Sequence, residues 1–324
     1  MKVTLAHGNG GKETTDLIHG VFQKYFSNPI LAKQEDSGVF PLSGRIAYST
    51  DSFVVTPIFY HGGDIGRLCV CGTVNDLLMM GAKPQYLSIG FIIEEGMEIA
   101  DLCLIAKSIA ETCQEAGVTI AAADTKVVEG KGGIYINTSG IGIIPEGRVL
   151  GADLCQPHDA LIVSGYLGDH HACILSHRMG IENTIQSDNM PLNQQVEALF
   201  QNGFSIRAMR DVTRGGLGTV VNELAESSQI GCEIIEDAIP VAPQTKAFCS
   251  ILGLDPLYMG NEGKFVVVLP DEQAEKAVDT LNRFGCHAAK IGNFTNEKGV
   301  SIVNRFGGHR NLPVLYGEGL PRIC

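Results

Sequence analysis

Along the first half of the chain, apolar positions alternate between two spacings. Residues 45–50 read as a strand leading to Asp51. Residues 64–80 carry apolar side chains at helical spacing and stop at Gly81, a residue suited to a helix C-terminus because it tolerates left-handed backbone. An apolar strand follows over 86–93, then an amphipathic helix over 98–115 closed by Gly117, then a short buried strand over 118–123 running into Asp124. Ile134–Ile144 is a long strand whose alternation breaks at Gly140 and Gly142. Gly, Pro and Asp accumulate over 145–157, and this shift marks the expected domain boundary. Beyond it the alternation returns, with strands over 160–164, 264–269 and 288–294 and helices over Asn193–Gln201, Gly216–Ser227 and 271–284. The pattern predicts two units, each a mixed α and β layer in which helices cover a sheet. They are expected over 1–150 and 151–310, with a flexible tail over 311–324.

Composition narrows the class. At 324 residues the chain can bury two cores. Glycine, 39 of 324, is enriched, which suits tight turns and close backbone approach to a ligand. A net charge of -12 argues against a nucleic-acid partner and is compatible with carboxylates that hold a Mg²⁺-nucleotide. The first residues lack the apolar core of a signal peptide, and no run is long and apolar enough to span a membrane. The ten cysteines form no CxxC pair, and Cys69, Cys103 and Cys113 sit in apolar helical patterns, as expected in a reducing cytoplasm. Cys69 and Cys71 diverge on a helix, which disfavours a metal pair.

Four carboxylates stand at the ends or breaks of apolar segments: Asp36, Asp51, Asp76 and Asp124. Each alone is explained by a cap, a turn or a solvated face. Asp76 is the exception, an acid within a run of Leu, Met, Cys and Val, where charge is costly unless paired or metal-bound. Together the four suggest a Mg²⁺ cluster, because Mg²⁺ favours a few carboxylates plus substrate phosphates. His7-Gly8-Asn9-Gly10-Gly11-Lys12 offers unobstructed backbone N–H groups and one cation to a phosphate, or is a plain loop; its spacing is not that of a Walker A motif. Asp211-Val212-Thr213-Arg214-Gly215-Gly216 places charge and glycine at a helix start. Gly260-Asn261-Glu262-Gly263 frames an acid in a turn before an apolar strand; Glu262 is a candidate acid/base or a solvated turn residue. Finally, Cys324 stands last, after two glycines and Pro321, where a thiol packs no core and can act as a carrier.

These motifs, with Thr50-Asp51-Ser52, Val74-Asn75-Asp76 and Ala123-Asp124-Thr125, resemble the PurM-like ATP-binding superfamily, which includes aminoimidazole ribonucleotide synthetase. Within it, Pro321-Arg322-Ile323-Cys324 is similar to the terminal signature of the HypE-like hydrogenase maturation factors. The resemblance spans essentially the whole chain. It implies two PurM-like α+β domains and a homodimer built through the first of them. It implies ATP-dependent dehydration of a carbamoyl group on Cys324 to a thiocyanate, the source of a cyanide ligand for the iron of a nickel–iron hydrogenase. A HypF-like carbamoyltransferase would be the donor and a HypC–HypD scaffold the acceptor.

The implied site has Asp51, Asp76 and Asp124, with Asp36, on Mg²⁺. Gly10, Gly11, Lys12, Thr125, Asp211 and Gly215 would line ATP. Lys126 would stabilise the transferring phosphoryl or orient the carbamoyl oxygen, Glu262 would take the nitrogen proton, and Asn261 would hold the amide. Two other readings compete: a PurM-like kinase or synthetase acting on a free small molecule, and a thiol or metal chaperone without ATP turnover.

Overall fold

The structure is a computed structural model describing residues 1–9, 11–33 and 37–314. A short helix α1 (Lys12–Leu17) precedes the first sheet. That sheet combines β1 (Arg45–Phe53), β4 (Lys83–Glu94), β5 (Thr119–Val128) and β6 (Ile134–Ile144) in the order β1-β6-β4-β5, with a small hairpin of β2 (Phe59–Tyr60) and β3 (Gly63–Asp64) beside it. Helices α2 (Ile65–Met79) and α3 (Ile99–Ala116) pack together. In β4, Leu87, Ile89, Phe91 and Ile93 are buried while the intervening side chains lie on a more open face.

The glycines that interrupt the alternation of β6 have a packing cause. A Cβ on Gly140 would stand 2.7 Å from Thr73 and 2.9 Å from Leu77, both on α2. Glycine there lets the helix lie directly on the sheet. Asp64 starts α2 by accepting from the N–H groups of Gly66 (2.7 Å) and Arg67 (3.0 Å). Of the positions in α2 only Arg67 and Asp76 are not fully buried. The helix is enclosed by its own sheet, by α3 and by the second domain.

The second domain contains β7 (Asp159–Val163), α4 (Asp169–Arg178), α5 (Asn193–Gln201), β8 (Ala208–Asp211), α6 (Gly216–Ser227), β9 (Gly231–Ile235), α7 (Pro243–Leu252), β10 (Phe265–Pro270), α8 (Ala274–Asn282), β11 (Ala289–Thr295), β12 (Gly299–Val303) and β13 (His309–Asn311). Its seven strands run β13-β12-β9-β11-β7-β10-β8, antiparallel except where β12 meets β9. Central strands β7 and β10 are buried on both faces, which makes them unbroken apolar runs. Val266 and Val268 join Leu217, Val221 and Leu224 of α6 in one core. Phe265, Val267 and Leu269 face the other way, into a core continuous with that of the first domain.

The segment over 145–157 runs from the end of β6 to the start of β7. Arg148 fastens it: its guanidinium donates to the Gly81 carbonyl at 3.0 Å and to Glu197 at 2.8 Å, and lies 3.8 Å over the Phe200 ring. Three expectations shift. β1 and β5 extend past Asp51 and Asp124, so those acids lie within strands rather than beyond them. Helices α4 and α7 were not anticipated. Residues 311–313, expected in the tail, are held instead: Asn311 closes β13, Leu312 is buried with its N–H on the Val300 carbonyl (2.9 Å), and Tyr258 donates to the Pro313 carbonyl (2.8 Å).

Arg148→Ala removes an ion pair, a hydrogen bond to a helix C-terminus and a ring contact from a side chain only 11% exposed. Loss of about 2 kcal/mol of stability is expected, read as a lower urea midpoint with unchanged slope.

Candidate active site

A cleft of about 190 Å³ lies between the domains, lined by Asp51, Gly72, Asp76, Asp211, Thr213, Arg214 and Glu262 among others. Four acids that are scattered in sequence meet here because each ends up on an element facing the gap. Ser49, Asp51 and Phe53 alternate onto the α2 side of β1. Gly72 gives the Phe53 ring room, since a Cβ would stand 2.6 Å from it. Asp76 follows one turn later on the same face of α2 and accepts from the Ser49 hydroxyl at 2.6 Å. Asp211 ends β8, and Glu262 sits in the turn before β10.

Negative charge is crowded here and poorly hydrated. Burial raises the Asp76 carboxyl above its usual range and Asp51 adds to this, while Ser49 and Arg210 oppose it. Burial, reinforced by Asp76 and Asp51 and opposed by Arg210, pushes Asp211 up to about 7. Glu262 is held well above the ordinary carboxylate range, first by burial, then by Asp188, Asp211, Asp51 and Asp76. Arg210 and Arg214 offset this charge only in part, and the cleft is where a cation-bound polyphosphate would be welcome.

Several expected site residues lie elsewhere. Asp124 and Lys126 pair with Gly90 and Ile92, on the face of the sheet opposite Ile89 and Phe91. Asp51 pairs with Thr138, whose hydroxyl meets Thr73 of α2, so Asp51 faces the helices. The chain by itself therefore does not gather Asp51, Asp76 and Asp124 around one ion. Among the described residues, no group of three or more His, Cys, Asp or Glu is placed to hold a metal. Asp36, Gly10 and Cys324 lie outside the described residues. Gly11 caps α1 and Lys12 opens it, exposed, while Gly8 packs against Val127 of β5, where a Cβ would stand 2.9 Å from the Val127 Cβ. The glycine segment thus borders β5, with Asp124, Thr125 and Lys126, rather than the interdomain cleft.

Asn261 must be corrected. It is fully buried, donates to the carbonyls of Val212 (2.9 Å) and Met259 (3.1 Å), and accepts from the Gly168 N–H (2.7 Å). Both its N–H donors are committed to fixing loops, so neither is free for a substrate amide. Gly215 is left-handed (φ 81°) and N-terminal to α6. Its neighbour Gly216 allows the helix to pack on the Pro256–Tyr258 turn, where a Cβ would stand 2.5 Å from the Leu257 carbonyl oxygen. Cys69 and Cys71 are buried, and burial raises both thiols well above their ordinary range. They are poor candidates for a metal pair. Not anticipated were Ser49, Asn75, Thr213, Arg214 and Asp188. The first four sit in or beside motifs already singled out, whereas Asp188 lies in a stretch without periodicity.

The raised Asp211 has a stability signature. Between pH 4 and 7 the folded state retains a proton that the unfolded state has released, so stability falls as pH rises through this window. Asp211→Asn should flatten that fall, leaving the nucleotide-free protein more stable by about 1–2 kcal/mol at pH 8 and little changed at pH 4. Urea titrations at the two pH values check this.

Family models for AIR synthase related proteins match here in two parts, the N-terminal domain over residues 34–144 and the C-terminal domain over 156–304. The carbamoyl dehydratase HypE of Azotobacter vinelandii is 44% identical, over 99% of this chain and 97% of its own length. A crystal structure of the hydrogenase maturation protein HypE in complex with ATP superposes with a TM-score of 0.94 at 44% identity, covering 99% of both chains. A chain of a HypE–HypF complex superposes with a TM-score of 0.82 at 43% identity, covering 92% of this chain and 99% of that one. With both halves matched and a cleft of clustered acids at their junction, the chain belongs to the HypE family of carbamoyl dehydratases.

Proposed function

We propose that this chain dehydrates an S-carbamoyl group on Cys324 to S-cyanocysteine, with ATP consumed as a substrate, and so supplies the cyanide ligand of a nickel–iron hydrogenase. The observation that carries the reading is the interdomain cleft, where Glu262 has raised proton affinity beside Asp211, Asp51 and Asp76. Oxygen leaves a carbamoyl carbon poorly. Attack of that oxygen on the γ-phosphorus releases ADP and converts the oxygen into part of a phosphate. Breaking the C–O bond then releases phosphate, and nitrogen gives up two protons in all as the C≡N bond forms. A carboxylate of raised proton affinity is the stronger base, and in its ionised form Glu262 takes a nitrogen proton.

The donor set suits Mg²⁺ in chemistry, because Asp51 and Asp76 offer hard oxygen ligands whose mutual repulsion a dication relieves. Bound there, Mg²⁺ would neutralise phosphate charge. Thr213 and Arg214, before the α6 N-terminus at Gly215, supply donors on the opposite wall. Gly10, Gly11, Lys12, Asp124, Thr125 and Lys126 are assigned to the triphosphate along β5. A homodimer is proposed through the open sheet face that carries Asp124 and Lys126, where Ile46, Tyr48, Ile92 and Tyr135 are exposed. A second copy on that face would complete the phosphate site beside Lys126, the group proposed to orient the carbamoyl oxygen.

The partners proposed are a HypF-like carbamoyltransferase as donor, supported by the similar HypE–HypF complex, and a HypC–HypD scaffold as acceptor. A cytoplasmic setting agrees with the nine described cysteines, all of them free. Among the described residues no helix is long and apolar enough to cross a membrane.

Intact mass tests the reading. After incubation with a carbamoylation system, an adduct of about +43 Da should lose about 18 Da only with Mg-ATP, and Cys324→Ala should show neither change. Glu262→Gln should form the adduct normally yet dehydrate it ~10²–10⁴-fold more slowly. ATP turnover on a free metabolite that survives Cys324→Ala would instead identify a small-molecule kinase or synthetase.

A further inference from the structure

We infer that Asp188, on the irregular segment between α4 and α5, is a positioning residue that sets the Glu262 turn. The inference rests on the role proposed above for Glu262. The Asp188 side chain is 4% exposed and lies between two partners on that turn. Its Oδ1 accepts from the Glu262 N–H at 3.0 Å, and its Oδ2 pairs with the Lys264 ammonium at 3.1 Å. The backbone is equally close, because a Cβ on Gly263 would stand 1.9 Å from the Asp188 carbonyl oxygen. Only glycine lets the two segments meet.

The other side of the Glu262 peptide is held from the first domain. Asn75, beside Asp76 on α2, donates to the Glu262 carbonyl at 3.4 Å and to the Met190 carbonyl at 3.1 Å, and accepts from the Leu192 N–H at 3.0 Å. Asn75 thus grips the turn and the Asp188 segment together. Arg67 of α2 donates to the Asn189 carbonyl at 2.9 Å, and the Ser187 N–H reaches the His61 carbonyl at 2.8 Å. A segment with no regular structure of its own is therefore tied to both domains and carries a carboxylate to the backbone of the proposed base. A buried carboxylate with an ion pair and a backbone donor is expensive to assemble unless its geometry is fixed. Loss of Asp188 leaves the Glu262 N–H without its acceptor and Lys264 without its counter-charge, its ammonium keeping only the Gly263 carbonyl at 3.2 Å, and the turn is free to reorient.

The test is a mutant cycle on single-turnover dehydration of the pre-formed adduct, read by intact mass, with ATP affinity and urea midpoint measured alongside. Asp188→Ala should slow dehydration ~30-fold or more, with ATP affinity within about threefold of the parent. Asp188→Asn keeps an acceptor oxygen for the Glu262 N–H and should recover most of the rate. Combined with Glu262→Gln, Asp188→Ala should add almost nothing, because it acts through Glu262. Full additivity in that double variant overturns the inference, as does a lower urea midpoint with an unchanged rate. If Asp188→Ala does not fold, Asp188→Leu, which keeps the volume but offers no acceptor, carries the same cycle with the same expected loss of rate and the same non-additivity with Glu262→Gln. A parental rate in Glu262→Gln alone would refute the base assignment, an outcome distinct from failure of the Asp188 cycle.

Discussion

A helix buried on every side must find partners inside the protein for each polar group it carries, since water cannot supply them. Helix α2 is in that position, and the rest of the molecule is arranged around it. Its glycines admit neighbours: Gly66 approaches the Ile105 carbonyl of α3, and Gly72 approaches Phe53 of β1. Its polar residues bind the remainder. Thr73 meets Thr138 of β6, Asn75 holds the Glu262 turn and the segment before α5, and Asp76 receives the Ser49 hydroxyl. One helix thereby joins a sheet, the other domain and the site.

The same burial explains the chemistry. In water four carboxylates repel one another weakly, but in a partly dry cleft burial and neighbouring charge raise the proton affinity of Asp76, Asp211 and Glu262. Asp211 reaches a value of about 7 because burial acts first and the charges of Asp76 and Asp51 then add to it. The site is destabilised by its own composition, which is how an acidic cleft becomes receptive to the dication that a polyphosphate carries.

Much of this was readable in the chain because the signals were local. The helix over 64–80 and its stop at Gly81 and the strand at Ile134–Ile144 follow from periodicity and turn residues. Asp76 was conspicuous as an acid among apolar neighbours, and the Glu262 turn by its glycines. What resisted was non-local. A strand places adjacent residues on opposite faces, so the reading of Asp51 and Asp124 as one cluster depended on a register that sequence does not display. Asn261 looked like a substrate ligand because its turn is distinctive, yet its hydrogen bonds reach Gly168 and Val212, distant in sequence or invisible without the fold. Asp188 had no pattern around it at all. The terminal motif, by contrast, spoke through its resemblance to a family rather than through any physical rule.

The core shared by the two domains has a mechanical consequence. Phe265, Val267 and Leu269 belong to the same apolar cluster as Leu68, Val74 and Leu78 of α2. Opening the gap like a jaw would tear that cluster, so the walls behave as a fixed socket. A fixed socket leaves transport to the cargo. When a substrate must visit a donor, this cleft and an acceptor in turn, motion of these walls cannot be what carries it.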